Sequence, residues 1–373
     1  MGNIIIYYID LIMRTVYVAP STRTLSPRLS FLTKHIHNNM GDAPTVGING
    51  FGRIGRAVLR EALSNSLVRV ISINDPHVSA EYAAYLLLNE TRSDKDRDLK
   101  VEVKEGAIVV NGQYITVFQK NDPVSIPWKV TYVVECSGMY TTQDRASGHL
   151  ASGASRVVIA SPSADAPTYI VGVNDSKFNP SLQVISAGST TGTVLATALK
   201  PLNERFGVES CFFTAIHALT TGQKVIDGTS GKDWRAGRAA QNIIPFVSGA
   251  QKTLQKTLPA LAPMVNGRSM HVPVPAGCVL EMVVRFGKPV TCADVDATME
   301  ELQADEALKG GIATTSAPIV SSDVLSSSTL CVFDKSSPLA VGDRSVQFTL
   351  FYDNERGYAR RLLDLVLVTS TKW

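Results

Sequence analysis

The sequence lacks both a long apolar segment and a strong excess of charge of one sign. No apolar run approaches the roughly 20 residues that are needed to span a bilayer. The 36 basic residues nearly balance the 33 acidic ones, and this balance does not indicate a nucleic-acid partner. The five cysteines are scattered and lack metal-ligand spacing, so we expect no metal site and reduced thiols inside the cell.

The composition that is present favours a folded protein with two domains. The 373 residues are 45% hydrophobic and 18% charged, which is typical of a globular chain. Helix-like segments alternate with apolar segments, and this alternation predicts an α/β fold on an open, mostly parallel sheet. The later apolar segments of the first half are Lys100–Val103, Ala107–Val110, Tyr114–Phe118, Tyr132–Gly138 and Arg156–Ala160.

Residues 1–43 differ in composition from the rest of the chain. Residues 13–39 contain arginine, lysine and many hydroxyl side chains but no acid. Such a composition is typical of a mitochondrial transit peptide, and it predicts a mitochondrial protein. The alternatives are a disordered tail or a different start of translation, at Met13 or Met40, and with them a cytoplasmic protein.

A glycine-rich turn follows the first buried strand, Val46–Asn49. The glycines at 50, 52 and 55 suit a tight turn, close approach of a pyrophosphate, and packing of a helix on a strand. The next apolar strand, Val68–Ile73, is followed by Asp75, about 20 residues after the glycines. An aspartate there accepts hydrogen bonds from ribose hydroxyls and repels a 2′-phosphate, which favours NAD over NADP. The alternative is an ordinary strand–turn–helix unit.

A second turn of small residues lies at Ser186–Thr193, between an apolar strand and a helix-like segment. Such an elbow aims Ser189 at a cofactor and places it at a helix N-terminus, which stabilises an anion. His217 is placed like a partner base. The arrangement suits a thiolate, but a serine hydroxyl needs a strong adjacent base and an oxyanion site to act as a nucleophile.

These segments together resemble the glyceraldehyde-3-phosphate dehydrogenase family from about residue 45 to 369. The resemblance rests on six ordered motifs: Gly47–Arg56, Asn74–Pro76, Ser161–Pro167, His217–Thr220, Gln241–Pro245 and Tyr352–Tyr358. It implies a Rossmann NAD-binding domain over 44–187, completed by a C-terminal helix within 354–373, and a catalytic-type domain with a mixed sheet over 188–353. It also implies a homotetramer, or a subunit of a larger assembly, in which a loop over about 216–245 lines a neighbouring NAD site.

The resemblance assigns roles to individual positions. The nucleophile position falls on Ser189 and the base on His217. The cofactor-binding positions are Gly50, Gly52, Arg53, Ile54, Gly55, Asp75, Ser137, Asn354 and Tyr358. The positions that bind substrate or phosphate include Thr190, Thr220, Ser248, Gly249 and His271.

Several positions depart from the family pattern, and they cluster on the nucleophile and on anion binding. Ser189 replaces the cysteine, and His271 stands where an arginine is expected. Glycine stands at 188, 192 and 222, where the family has serine, asparagine and threonine. A guanidinium binds phosphate through paired N–H donors and is always charged, whereas an imidazole offers one donor and is often neutral.

Two functions are compatible with this pattern. One is a catalytically impaired or inactive homologue that binds NAD and serves as a scaffold or subunit. The other is an NAD-dependent oxidoreductase with weak or altered activity on a small phosphorylated aldehyde. No acid is identifiable as an orienting partner of His217, and this favours the first function.

Overall fold

The computed structural model describes residues 43–64, 67–90, 98–220, 222–228, 235, 237–305 and 310–372. The predicted transit segment therefore lies outside the described residues. The predicted loop over 216–245 lies partly outside them.

The first half of the chain alternates strands with helices. In chain order its elements are β1 (Thr45–Asn49), α1 (Arg53–Leu63), β2 (Arg69–Asn74), α2 (Ala80–Asn89), β3 (Val101–Lys104), β4 (Ala107–Val110), β5 (Gln113–Phe118), β6 (Tyr132–Glu135), α3 (Gln143–Ala146), α4 (Gly148–Ala151), β7 (Arg156–Ile159) and β8 (Val184–Ser186).

These strands form one sheet in the order β3-β4-β5-β2-β1-β6-β7-β8. The six strands from β5 to β8 run parallel, and β3 and β4 add an antiparallel edge. The central strand β1 is almost wholly buried because it lies between two parallel neighbours. The predicted open, mostly parallel sheet is confirmed. Its strand order switches at β1, where ligands bind in such folds.

One predicted strand end in this half is wrong by several residues. Helix α1 begins at Arg53, inside the glycine motif. Strand β6 ends at Glu135, three residues before the predicted end at Gly138. There the Glu135 carboxylate accepts the backbone N–H of Ser137 at 2.7 Å, and Gly138 takes a positive φ of 72°, so that the chain turns out of the sheet.

The second half is built on a mixed sheet, as predicted. Its elements are α5 (Thr190–Phe206), β9 (Val208–His217), β10 (Ile244–Phe246), α6 (Ala250–Thr257), β11 (Val265–His271), β12 (Cys278–Phe286), α7 (Cys292–Ala304), β13 (Ile312–Thr315), β14 (Cys331–Asp334), β15 (Leu339–Val341), β16 (Ser345–Tyr352) and α8 (Arg356–Ser370). The strand order is β10-β11-β9-β12-β16-β14-β13, with β15 paired to β16.

Each sheet has its own apolar core, and helix α8 belongs to the first one. Leu362, Leu363 and Val366 of α8 pack with Val58 and Leu59 of α1, on one side of the first sheet. The second core joins α5 and α7 to the inner face of the second sheet. The C-terminal helix thus returns to the first half after the chain has built the second. The exact domain boundaries stay a prediction.

In the described part of the chain, no helix is long and apolar enough to cross a membrane. The same residues hold no cluster of three or more histidine, cysteine, aspartate or glutamate side chains that could bind a metal ion.

Candidate cofactor and active site

The glycine turn between β1 and α1 has the geometry of a dinucleotide cradle. Gly50 has a φ of 91°, and a Cβ there would lie 2.6 Å from the backbone of Ser137. A Cβ at Gly55 would lie 2.1 Å from the carbonyl oxygen of Gly50. The absence of a side chain at Gly55 therefore lets helix α1 pack against the turn. Gly52 faces open space, and no side chain caps the helix that it begins. The N-terminus of α1 is therefore free to meet a pyrophosphate, and these residues fit NAD.

Asp75 lies at the end of β2, beside this turn. Its carboxylate accepts the backbone N–H of Phe51 at 2.9 Å and that of His77 at 3.0 Å. Asp75 is half-buried, so it holds the glycine turn and still borders the surface where a ribose would lie. The Asp75 carboxylate thus joins the glycine turn after β1 to the end of β2.

Ser137 follows β6 and closes the other side of the turn. A buried polar network supports it: Glu135 accepts from Asn49 Nδ2 at 2.6 Å and contacts His149 Nε2 at 3.0 Å. His149 in turn accepts from the indole N–H of Trp128 at 3.0 Å. Since a buried carboxylate needs such partners, the network fixes the strand end against which Gly50 packs.

Three further predicted cofactor residues join the two halves of the molecule. Arg53 contacts the Leu219 and Pro275 carbonyl oxygens at 3.3 Å each and pairs with Glu355 at 3.2 Å.

Asn354 is buried, and its Oδ1 lies 3.6 Å from Cys278 Sγ. Tyr358 is also buried, and its hydroxyl donates to the Gly188 carbonyl oxygen at 2.6 Å. Ile54, the remaining predicted residue, is partly exposed in the first turn of α1. The roles of these residues toward NAD stay predictions.

The elbow at Ser189 joins β8 to α5, as predicted. Gly188 has a φ of 74°, and Ser189 is the N-cap of α5, where its Oγ accepts the Gly192 N–H at 3.0 Å. The Ser189 backbone N–H and its Oγ both contact Thr253 Oγ1, at 2.9 and 3.3 Å. In the described part of the chain no hydrogen bond joins Ser189 to His217. The serine hydroxyl is therefore a helix cap, without a base bound to it.

His217 ends β9, and the parallel pairing of β9 with β11 places His271 directly beside it. Burial is the main cause that lowers the pKa of both imidazoles, while a hydrogen bond to Ala218 opposes it in each. The neighbouring His271 and Arg53 lower the pKa of His217 further. Both rings are accordingly neutral at pH 7, and the position where an arginine is expected carries no charge.

The other predicted phosphate positions lie around the elbow at Ser189 and in the loop that follows β9. Thr190 begins α5, and Gly249 precedes α6, where a Cβ would lie 3.9 Å from that of Ser189. Ser248 is buried and accepts the Ala250 N–H at 3.2 Å. Thr220 donates to Gln223 Oε1 at 3.3 Å. Two helix N-termini thus converge beside Ser189, but no guanidinium or ammonium group is among these residues.

Four of the five cysteines do not replace the missing nucleophile. Cys211, Cys278 and Cys331 lie in strands, and burial raises the pKa of each to about 12. Burial also raises the pKa of Cys136 well above its ordinary value. Protonated, buried thiols are poor nucleophiles.

Thr253, which contacts Ser189 from 64 residues away, was not among the predicted site residues. The Ala218 carbonyl oxygen, which binds both histidines, was not among them either. No local signal marks either residue, because each reaches the site through packing of separate elements. The spacing of motifs could have found only the residues within the elbow itself.

A Rossmann-type half and a mixed-sheet half, with a glycine cradle and a helix-capped elbow between them, define a two-domain protein with an NAD-dependent dehydrogenase fold. Residues 44–143 match the model of the glyceraldehyde 3-phosphate dehydrogenase NAD binding domain, and residues 189–354 match that of the C-terminal domain. The chain belongs to the glyceraldehyde-3-phosphate dehydrogenase family, and NAD is its cofactor.

Curated relatives match nearly the whole folded region. The chain is 43% identical over 333 residues to glyceraldehyde-3-phosphate dehydrogenase 1 of Schizosaccharomyces pombe, which covers 88% of this chain and 98% of that protein. It is 40% identical over 328 residues to the cytosolic enzyme of Chondrus crispus, covering 87% and 97%. It is 43% identical over 334 residues to glyceraldehyde-3-phosphate dehydrogenase 1 of Trichoderma koningii, covering 88% and 98%.

Proposed function

We propose that this protein binds NAD but is a catalytically impaired or inactive member of its family, with a scaffold or subunit role. One observation carries the proposal. The nucleophile position holds Ser189, whose hydroxyl caps helix α5 and contacts Thr253 in place of a base. A serine in this state has neither the thiolate of a cysteine nor the activation that an alcohol requires.

The state of His217 supports the same conclusion. Its Nδ1 donates to a backbone carbonyl oxygen, that of Ala218 at 2.7 Å, and not to a carboxylate. A carboxylate in this place stabilises the imidazolium that forms when a histidine takes a proton from serine. Without it, and with a pKa lowered by burial, His217 is a weak base for an alcohol.

The predicted phosphate positions in the described part of the chain lack a permanent positive charge. His271 and His217 present neutral rings, and Gly222 carries no hydroxyl. At these positions a phosphorylated aldehyde would therefore meet hydroxyls, helix N-termini and neutral rings, without a guanidinium. Positioning supplies a large part of any rate enhancement, so this loss adds to that of the nucleophile.

The cofactor end by contrast keeps its glycine turn and its acid. Gly50, Gly52 and Gly55 would cradle the pyrophosphate at α1, Asp75 would accept from the ribose, and Asn354 would orient the nicotinamide amide. NAD supplies a hydride acceptor when it is bound. Retention of this end with loss of the other is the pattern expected of a subunit that keeps its cofactor for structure or sensing.

Assembly with other subunits is part of the proposal. The second sheet exposes Phe212, Ile216 and Val283 on one face, and Val247 is 84% exposed nearby. Such apolar side chains on one surface are typical of a protein interface. A homotetramer, or a larger assembly that includes this chain, would cover them. Sedimentation of the full-length protein tests this, and a monomer at micromolar concentration would contradict it.

We also propose a mitochondrial location, supported by the acid-free, arginine-containing composition of residues 13–39. A processed protein would begin near Asn38–Asp42, which mass spectrometry of native material would show. Recovery of intact Met1 from a cytosolic fraction would contradict the proposal.

The proposal as a whole is tested by two measurements on the purified full-length protein. Calorimetric titration is expected to show NAD binding, and an absorbance assay with glyceraldehyde 3-phosphate and phosphate is expected to show no NADH. Affinity purification from native cells would then identify the partner subunits. Absence of NAD binding at millimolar concentration would leave only a structural role.

A further inference from the structure

Thr253 contacts the elbow directly beside Ser189. It lies in helix α6 and is only 1% exposed. Its Oγ1 accepts the backbone N–H of Ser189 at 2.9 Å and lies 3.4 Å from the carbonyl oxygen of Gly249, to which it donates. The Thr253 hydroxyl oxygen is thus the acceptor of the backbone N–H of residue 189.

Glycine residues on both sides of Ser189 make this contact possible. A Cβ at Gly192 would lie 2.5 Å from Thr253 Cβ, and a Cβ at Gly188 would lie 2.5 Å from Thr253 Cγ2. Real Cβ atoms do not approach so closely, so α6 can rest on the elbow only because both positions lack side chains. These are two of the positions where the family pattern has asparagine and serine. The close approach of α6 is what brings the Thr253 hydroxyl to the Ser189 amide.

The consequence concerns any attack by residue 189 on a carbonyl. Such an attack converts the carbonyl oxygen into an oxyanion, and a backbone N–H at the nucleophile is a common donor to it. Here that N–H already has an acceptor inside the protein. A developing oxyanion would have to displace the Thr253 hydroxyl, which is held in place by burial and by Gly249.

We propose that Thr253 is a positioning residue that closes the oxyanion position at the elbow by capping the amide of Ser189. The elbow is therefore impaired at a point separate from the missing thiol and from the uncharged phosphate site. This inference deepens the proposed loss of activity and rests on it for its biological meaning. The hydrogen bond from the Ser189 N–H to Thr253 Oγ1 can be tested without dehydrogenase turnover.

The test uses a thiol introduced at the elbow and two reagents. In Ser189→Cys, the thiolate attacks the acetyl carbon of p-nitrophenyl acetate, a C–S bond forms, and an oxyanion develops on the former carbonyl oxygen. Collapse of this intermediate expels p-nitrophenolate and leaves a thioester. Iodoacetamide alkylates the same thiolate with release of iodide and forms no oxyanion. The ratio of the two rates thus isolates oxyanion stabilisation from the reactivity of the thiolate.

Three second changes are compared in the Ser189→Cys background. Thr253→Val keeps the shape and removes the hydroxyl, Thr253→Ala removes hydroxyl and methyl, and Thr253→Ser keeps the hydroxyl. Since one oxyanion donor changes rates by about 10²–10³, we expect the valine and alanine changes to raise the acylation-to-alkylation ratio at least about tenfold. The serine change should leave the ratio close to that of Ser189→Cys. The pH profile of alkylation reports the thiol pKa of each variant and corrects both rates for it.

A second measurement avoids the thiol and covers the case in which a double variant fails to fold. Amide hydrogen exchange at Ser189 in the otherwise unaltered protein should be faster in Thr253→Val than in Thr253→Ser, because only the latter retains the acceptor. Equal exchange in these two, or equal acylation-to-alkylation ratios in all the thiol variants, would overturn the proposal. Dehydrogenase activity in the unaltered protein would refute the proposed function and leave these readouts as they are.

Discussion

His217 and His271 lie side by side with their ring centres 5.0 Å apart, and both donate Nδ1–H to one acceptor, the Ala218 carbonyl oxygen, at 2.7 and 3.0 Å. A carbonyl oxygen only accepts, so the proton of each neutral ring is on Nδ1, and each Nε2 presents a lone pair. The position where an arginine is expected thus holds a neutral imidazole whose one N–H is already bonded. It offers no charged donor to an anion at neutral pH.

Anion binding should therefore depend on pH. Both histidine pKa values are lowered, mainly by burial, so the rings gain their charge only below the ordinary value of about 6.5. Sulfate, whose own charge is constant, should bind weakly at pH 7.5 and more tightly as the pH falls toward 5. His271→Arg should bind sulfate at pH 7.5 already, and His271→Gln should show a smaller gain at low pH. Calorimetry at several pH values measures this, and binding that is independent of pH would contradict it.

Asp75 should decide between the two nicotinamide dinucleotides. The unaltered protein should bind NAD at least about tenfold more tightly than NADP, because a carboxylate beside a 2′-phosphate costs several kcal/mol. Asp75→Asn removes the charge and should narrow this difference. The variant should also lower the stability of the turn, since two backbone N–H groups bind the carboxylate. Calorimetric titration checks both proteins, and equal or tighter NADP binding by the unaltered one would refute the assignment.

Gly192 should not tolerate alanine, although it lies in a helix. Glycine to alanine in a helix interior ordinarily stabilises by about 1 kcal/mol. Here the new Cβ would lie 2.5 Å from Thr253 Cβ, and the strain of overpacking should reverse the sign and cost about 1–2 kcal/mol in the free energy of unfolding. In a Thr253→Gly background the same change should cost less, because Thr253 Cβ and Cγ2 are gone and only Ser189 Oγ remains close, at 2.8 Å. Denaturant unfolding of the four proteins gives the coupling, and strict additivity would argue against the contact.

Restoring the thiol alone should not restore the dehydrogenase. Ser189→Cys places a thiol at the N-terminus of α5, where a thiolate is favoured, so it should alkylate readily. Turnover should stay low, because the pocket still lacks the charge at His271 and the hydroxyl at Gly222. The combination of Ser189→Cys, His271→Arg and Gly222→Thr should exceed the single variant at least about tenfold in turnover. Full rescue by the single change would show that the phosphate positions matter less than argued.

The parts of this structure that sequence could predict are those set by local chemistry. The glycine turn, the acid at the end of β2 and the helix-capping serine each follow from short-range patterns, and the structure has them where expected. The start of α1 within the glycine motif was not predicted. Gly52 needs no capping side chain there, because the helix end faces open space.

The interactions that decide the chemistry of the elbow could not be predicted from the sequence. His271 stands beside His217 because β11 pairs in parallel with β9. Thr253 reaches Ser189 because α6 packs closely against α5 at Gly192. Both contacts depend on how elements far apart in the chain pack together. A single sequence carries no signal for such packing, although it did mark Ser189 and His271 as departures from the family pattern.

The most direct test of the central claim is formation of NADH by the purified full-length protein. Glyceraldehyde 3-phosphate and phosphate are added at an NAD concentration that titration has shown to saturate the site, with the Schizosaccharomyces pombe relative assayed in parallel. Loss of an activated nucleophile costs on the order of 10⁴-fold or more, so we expect no NADH above background while NAD remains bound. NADH production at a rate comparable to that of the relative would contradict the account.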